Sequence, residues 1–168
     1  MSKLKILKYG DQLLRKKSAE IKEISDDIRQ LASDMFETMY AAPGAGLAAI
    51  QAGYPIQLFI IDVSQDKSGA LALINPKIID TGDKIIREEG CLSFPGIYAD
   101  VKRFETVTVQ YLDLNGRQKV LKAQGLASKA IQHEIDHLNG KLFIDYLEDW
   151  KRKILEKEIR RKKKSGDW

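Results

Sequence analysis

Gln132-His133-Glu134-Ile135-Asp136-His137 holds both histidines of this 168-residue chain, four positions apart, with a glutamate directly after the first. On an α-helix, residues at this spacing lie one turn above each other, offset by roughly 40° around the axis, so both imidazoles leave one face and can grip one ion. Around them Leu126, Ala127, Ala130, Ile131, Ile135 and Leu138 repeat at helical spacing, and Gly140 stands where a helix C-cap belongs. The stretch therefore predicts a buried helix carrying two His and a Glu, around which the other elements are arranged. HExxH is also a catalytic signature, in which the Glu is a general base for an attacking water and not a ligand.

A catalytic site of this type needs a third protein ligand and an open position. That ligand is not a histidine, since none remains. The extended pattern HExxHxxGxxH is followed as far as Gly140, but Phe143 stands where its third His would be. Glu148, Glu156 and Glu158 are carboxylates in a strongly charged tail, and Cys91 is the one cysteine. A lone Cys is commonly a small buried hydrophobe. Here Gly90 frees the backbone beside it and Pro95-Gly96 turns the chain just after. A two-His metal site would supply the positive neighbour that a thiolate needs.

With 43% hydrophobic residues, the chain is long enough for a single domain, 1–168, with a sizeable core. One cysteine forbids an internal disulfide and suits a reducing compartment. No secretory signal opens the sequence, and the longest charge-free apolar segment, 41–50, falls far short of the ~20 residues that span a bilayer. A soluble intracellular protein without a membrane partner is expected. The charge is uneven: 151–168 carries nine Lys or Arg against three acidic residues, a net +6, so that 1–150 is at −2 within the total of +4. The basic character belongs to a tail at about 148–168, which disfavours a sequence-specific nucleic-acid-binding body but leaves a basic arm.

In chain order, residues 1–24 predict an extended segment wrapping the body. Ser25 is placed as an N-cap before Asp26 and Asp27, and Ile28, Leu31, Ala32, Met35, Phe36 and Met39 predict an amphipathic helix ended by Pro43. Gly44-Ala45-Gly46-Leu47-Ala48-Ala49-Ile50-Gln51 leaves the backbone bare enough for another chain to approach, or forms a plain tight turn. Strands are predicted at 58–63, 71–74, 77–80, 84–87 and 104–112, with Thr81-Gly82-Asp83 as a turn and Asn115-Gly116 as a hairpin leading to 118–123. Together these elements predict an α+β fold with antiparallel strands around the central metal-binding helix and a C-terminal helix.

Three stretches, Gly44 to Gln51, Glu89-Gly90-Cys91-Leu92-Ser93 and Gln132 to His137, resemble in order and spacing the signature motifs of peptide deformylases, over nearly the whole chain. The resemblance implies an enzyme that removes the formyl group from the N-terminal formylmethionine of nascent polypeptides and releases formate. It implies one divalent metal on Cys91, His133 and His137, iron(II) being expected and zinc, nickel or cobalt being substitutes in purified protein. It further implies Glu134 as general base, Gln51 and the Leu92 N–H as donors to the formyl oxygen, and substrate binding at Ala45, Gly46 and Gly90. The bacterial form with a helical C-terminus is expected, in the cytoplasm, or in an organelle if the source is a eukaryote. Arg87 and Lys129 depart from the family, which usually has apolar residues there, bordering the methionine pocket.

Rival readings are an HExxH metallopeptidase, a cysteine hydrolase using Cys91, and a non-catalytic, metal-stabilised RNA-binding protein. In the tail, Leu147, Trp150, Ile154, Leu155 and Ile159 predict one apolar stripe on a helix whose other faces are basic. Such an arm would tether the enzyme to ribosomal phosphate, and turnover on a short peptide would survive its removal.

Overall fold

A computed structural model describes residues 3–168; Met1 and Ser2 lie outside the described residues. The α+β expectation is borne out. Helix α1 spans Asp26–Ala41; Ser25 caps it, its side chain accepting from the Ile28 N–H, and Asp26 and Asp27 sit at the positive end of its dipole. Strands β1 (Gly46–Ala48), β2 (Leu58–Ile61), β3 (Leu71–Thr81), β6 (Thr106–Leu112) and β7 (Gln118–Gln124) form an antiparallel five-stranded sheet in the order β1-β2-β3-β6-β7. Strands β4 (Lys84–Cys91) and β5 (Phe94–Phe104) form a separate hairpin. Helix α2 is Leu126–Leu138 and α3 is Asp149–Ser165.

The large sheet is covered on both faces, which explains why all four residues of β2 are buried. Alternation sends Leu58 and Ile60 into the cluster with Leu31, Met35 and Met39 of α1, and Phe59 and Ile61 into the cluster with Ala130, Ile131 and Leu138 of α2. From residue 3 onward the N-terminal segment lies along the body, with Leu7 N–H donating to Gln51 O at 2.7 Å and Tyr9 N–H to Ser93 O at 2.9 Å, but it is not extended throughout, since Gln12–Arg15 form a short 3-10 helix capped by Asp11.

Four local expectations are corrected. The pieces at 71–74 and 77–80 are one strand, because Asn75 adopts φ 49 and bulges instead of breaking it. Its side-chain amide earns that conformation by exchanging bonds with the Ile21 backbone, at 2.9 Å from the Ile21 N–H and 2.8 Å to the Ile21 carbonyl. Thr81-Gly82-Asp83 does not close a hairpin; it carries the chain from one sheet to the other. The run at 104–112 divides at Glu105 between β5 and β6. Strand β5 was not expected: Pro95 and Gly96 form a bulge within it, and its inward positions include the charged Arg103, which hides the alternation.

The tail is helical, but its stripe is narrower than expected. Ile159 is buried and Leu155 packs beside it against a cluster containing Phe94, Phe143 and Leu147, while Trp150 and Ile154 are each 58% exposed. The latter two lie on a different side of α3, more than 100° round the axis from Ile159 by roughly 100° per residue.

Candidate metal centre and active site

Helix α2 is fixed at its middle and at its C-terminal end. Gln132 pairs with the Phe104 backbone, accepting from its N–H at 2.9 Å and donating to its carbonyl at 2.8 Å, so the last residue of β5 is tied to the middle of α2. At the C-terminal end Gly140 has φ 72 and backs against the Arg15 carbonyl, where any Cβ would collide. Buried between the large sheet and the β4–β5 hairpin, His133 and His137 face Cys91 at the end of β4. His137 Nε2 stands 3.2 Å from His133 Nε2 and 3.3 Å from Cys91 Sγ, and the three donor atoms all lie within 4.8 Å of one another.

One sulfur and two imidazole nitrogens converging on one point fit a borderline divalent ion, and the cleft beside them leaves room for further ligands. Among the described residues this is the one cluster of three such groups. Glu148, Glu156 and Glu158 are not in it: Glu148 accepts from the Trp150 indole at 2.6 Å, Glu156 from Tyr9 at 3.5 Å, and Glu158 pairs with Arg161. Phe143 is buried, with its ring stacked 6.2 Å from that of His133 and edge-on to Phe94.

Behind the ligands runs a chain of charges. His133 Nδ1 lies 2.6 Å from Glu89 Oε1; Arg103 donates to both Glu89 oxygens at 2.7 and 2.8 Å and to Asp136 Oδ2 at 2.6 Å; Tyr146 donates to the same Asp136 oxygen at 2.7 Å. This directs His133 Nε2 toward Cys91 and fixes its ring. Burial alone would raise the Glu89 pKa, but hydrogen bonds from Arg103 and His133 outweigh it and hold the carboxyl at about 2. Burial likewise opposes charge on His133, and the adjacent Cys91 and Glu89 overcome it and push its pKa up; burial and the His133 charge push His137 down. Arg103 and Tyr146 were missed from the sequence, where neither belongs to a motif; Glu89 and Asp136 lay inside quoted motifs but had no role assigned.

Glu134 is buried, and its Oε2 has no hydrogen-bond partner. Burial, aided by the Glu89 charge and opposed by that of His133, pushes its pKa up to about 7. Its other oxygen explains Gly46: a Cβ there would lie 2.6 Å from Glu134 Oε1. Gln51 is held by its own Oε1, which accepts from the Ala48 N–H at 2.9 Å, and its Nε2 donates to Ser93 Oγ at 3.0 Å and faces Cys91 Sγ at 3.5 Å.

The expected residues Ala45, Gly46, Gln51, Gly90, Cys91, Leu92, His133 and Glu134 all line one cleft of about 560 Å³; His137 does not line it but keeps its ring nitrogen beside Cys91 and His133. Strand β1 is an edge of its sheet and borders this cleft, so its free backbone groups are available to an extended chain. Of the two departures from the expected pattern, Arg87 turns away to pair with Glu105 at 2.8 Å, whereas Lys129 lines the cleft and donates to the Glu88 carbonyl at 3.0 Å.

The sequence profile of the family described as Polypeptide deformylase matches residues 3–153. A peptide deformylase of Endomicrobium trichonymphae is 56% identical over 168 residues, covering 100% of both chains. One of Nitrosococcus oceani is 47% identical over 164 residues, 98% of each. Among solved structures, a peptide deformylase from Legionella pneumophila superposes with a TM-score of 0.94 at 40% identity, over 98% of both chains. One from Ehrlichia chaffeensis in complex with actinonin gives 0.91 at 40% identity, over 96% of this chain and 98% of that one.

Proposed function

This chain belongs to the polypeptide deformylase family, and from that premise we infer its reaction: it hydrolyses the formyl amide of N-formylmethionyl nascent polypeptides and releases formate. The observation that carries this reading is the convergence of Cys91, His133 and His137 beside a buried Glu134 whose Oε2 is unpartnered, at an open sheet edge. We assign the metal to those three residues, and when bound it supplies the Lewis acidity that polarises the formyl carbonyl and makes water a better nucleophile. Glu134 takes the proton of the attacking water and returns it to the departing amine. The Gln51 amide and the Leu92 N–H donate to the formyl oxygen as negative charge develops on it. Ala45, Gly46 and Gly90 receive the peptide backbone as an added strand, a mode that reads little of the side chains beyond the first.

The Cys-His-His set is consistent with iron(II) as the working ion, and the Irving–Williams order explains how zinc, nickel or cobalt would displace it on purification. Residues 1–168 act as one catalytic domain. The site of action is where nascent chains emerge, in the bacterial cytoplasm, and the exposed basic side chains of α3 dock on ribosomal phosphate without reading bases.

Anaerobically purified, metal-loaded protein should release formate from a formyl-Met-Ala-Ser peptide, stop on chelation, and leave casein and the unformylated peptide intact. Endopeptidase activity equal to formate release would favour the metallopeptidase reading. Activity that persists after complete metal removal would favour Cys91 as nucleophile with His137 as its base, a pair that the 3.3 Å contact otherwise permits.

A further inference from the structure

The cleft at the metal centre does not end at α2. It adjoins a second hollow of about 420 Å³ against Tyr40, Asp62 and Lys67, and Lys129 lines both hollows at their junction. The carboxylates bordering this path are engaged. Glu89 is bound by Arg103 and His133, and Asp62 accepts from Tyr40 at 2.6 Å and from the Ser64 N–H at 2.9 Å, while Glu134 is kept for proton transfer. The cations are not neutralised in the same way. Lys129 Nζ has a carbonyl as its partner, Lys67 Nζ lies over the Tyr40 ring at 4.9 Å, and Lys8 borders the metal-side cleft; among the described residues none of the three is in an ion pair.

Lys129 precedes His133 by four residues, about 6 Å along α2. An extended peptide advances about 3.4 Å per residue, so the ammonium is within reach of the first residues after the one whose formyl group is at the metal. We propose that Lys129, with Lys8 lining one of its two hollows and Lys67 the other, makes this enzyme select nascent chains with a carboxylate side chain just after the formylmethionine and disfavour those with Lys or Arg there. The proposal rests on the deformylase reading and gives the otherwise neutral strand pairing a charge preference.

The test compares formyl-Met peptides bearing Glu or Lys at position two, and separately at position three, with formyl-Met-Ala-Ser as the neutral reference, on metal-loaded enzyme. At one of these positions the Glu peptide should have kcat/KM about three- to tenfold above its Lys counterpart, mostly through KM, because one pairing attracts and the other repels at the strength of surface ion pairs. The ratio should shrink toward one as salt is raised. It should collapse in Lys129→Gln, which keeps a donor for the Glu88 carbonyl but removes the charge, and persist in Lys129→Arg. A ratio near one at both positions, or the same ratio in Lys129→Gln as in the parent, would overturn the proposal. Failure to release formate from the neutral peptide would sink the deformylase reading itself, and this inference with it.

Discussion

At the scale of single residues, the proposed roles of metal ligand and proton carrier fall on different side chains. Glu134 stands outside the cluster of Cys91, His133 and His137, buried and with a free oxygen. Glu134→Gln should therefore retain the metal while losing about 10²- to 10⁴-fold in turnover, since an amide cannot take the proton. Cobalt-loaded protein distinguishes the two roles. The thiolate-to-metal charge-transfer band should survive in Glu134→Gln and vanish in Cys91→Ser, and near-normal turnover in the former or an intact band in the latter would break the assignment. Gly46 belongs to the same machinery for a reason of space, because a Cβ would displace the Glu134 carboxylate. Gly46→Ala should thus lower kcat with the cobalt band unchanged, and a fall confined to KM would point instead to lost peptide pairing.

At the scale of elements, the decisive joint is between the β4–β5 hairpin and α2, made by Glu89, Arg103 and Asp136. The Glu89 and Arg103 side chains are only 1% and 3% exposed, so removing one charge leaves the other stranded. The Glu89 carboxyl is held at about 2 in the folded chain, below the ordinary carboxylate value of about 4.3. A lowered folded pKa means that its stabilisation is complete above the unfolded value and lost as pH falls toward the folded one. Glu89→Gln should cost on the order of 3 kcal/mol at pH 7. The gap from the parent should close between about pH 4.5 and pH 2, where the parent carboxyl is itself protonated. Urea unfolding of both proteins across that range provides the measurement, and a gap independent of pH would remove the ion pair as its cause.

At the scale of the whole molecule, α3 is part of the body and not a detachable arm. Ile159 and Leu155 join the cluster of Phe94 and Phe143, and the Trp168 ring meets Phe94 edge-on at 6.3 Å. Deleting 151–168 would uncover that apolar surface at Phe94, three residues after Cys91 in the β4–β5 hairpin, so turnover should not survive it as the charge pattern alone suggested. Ribosome docking is better tested by neutralising exposed cations. Lys153, Lys157, Arg160 and Lys164 changed together to Gln should weaken co-sedimentation with ribosomes and flatten its salt dependence, while formate release from a short formyl-Met peptide stays within about twofold. Unchanged co-sedimentation at low salt would remove α3 from the contact.

The local features were legible in the sequence because their signals lie within a few residues of one another. The His-to-His spacing on one helical face, Ser25 as a cap, the Asn115-Gly116 hairpin and the bare Ala45-Gly46 backbone are of this kind. Residues from each of the three quoted motifs, among them Gly46, Gln51, Cys91 and Glu134, line one cleft. Tertiary structure alone decided what depends on partners distant in the chain. It put Cys91, and not Glu148, Glu156 or Glu158, beside the histidines; it joined Arg103 to Glu89 and Asp136; and it turned Arg87 to Glu105 while leaving Lys129 in the cleft. It also left Trp150 and Ile154 in solvent. Periodicity records which face of an element is apolar, but a buried charge or an exposed tryptophan leaves no periodic trace, because its position is set by the partner it meets once the elements pack.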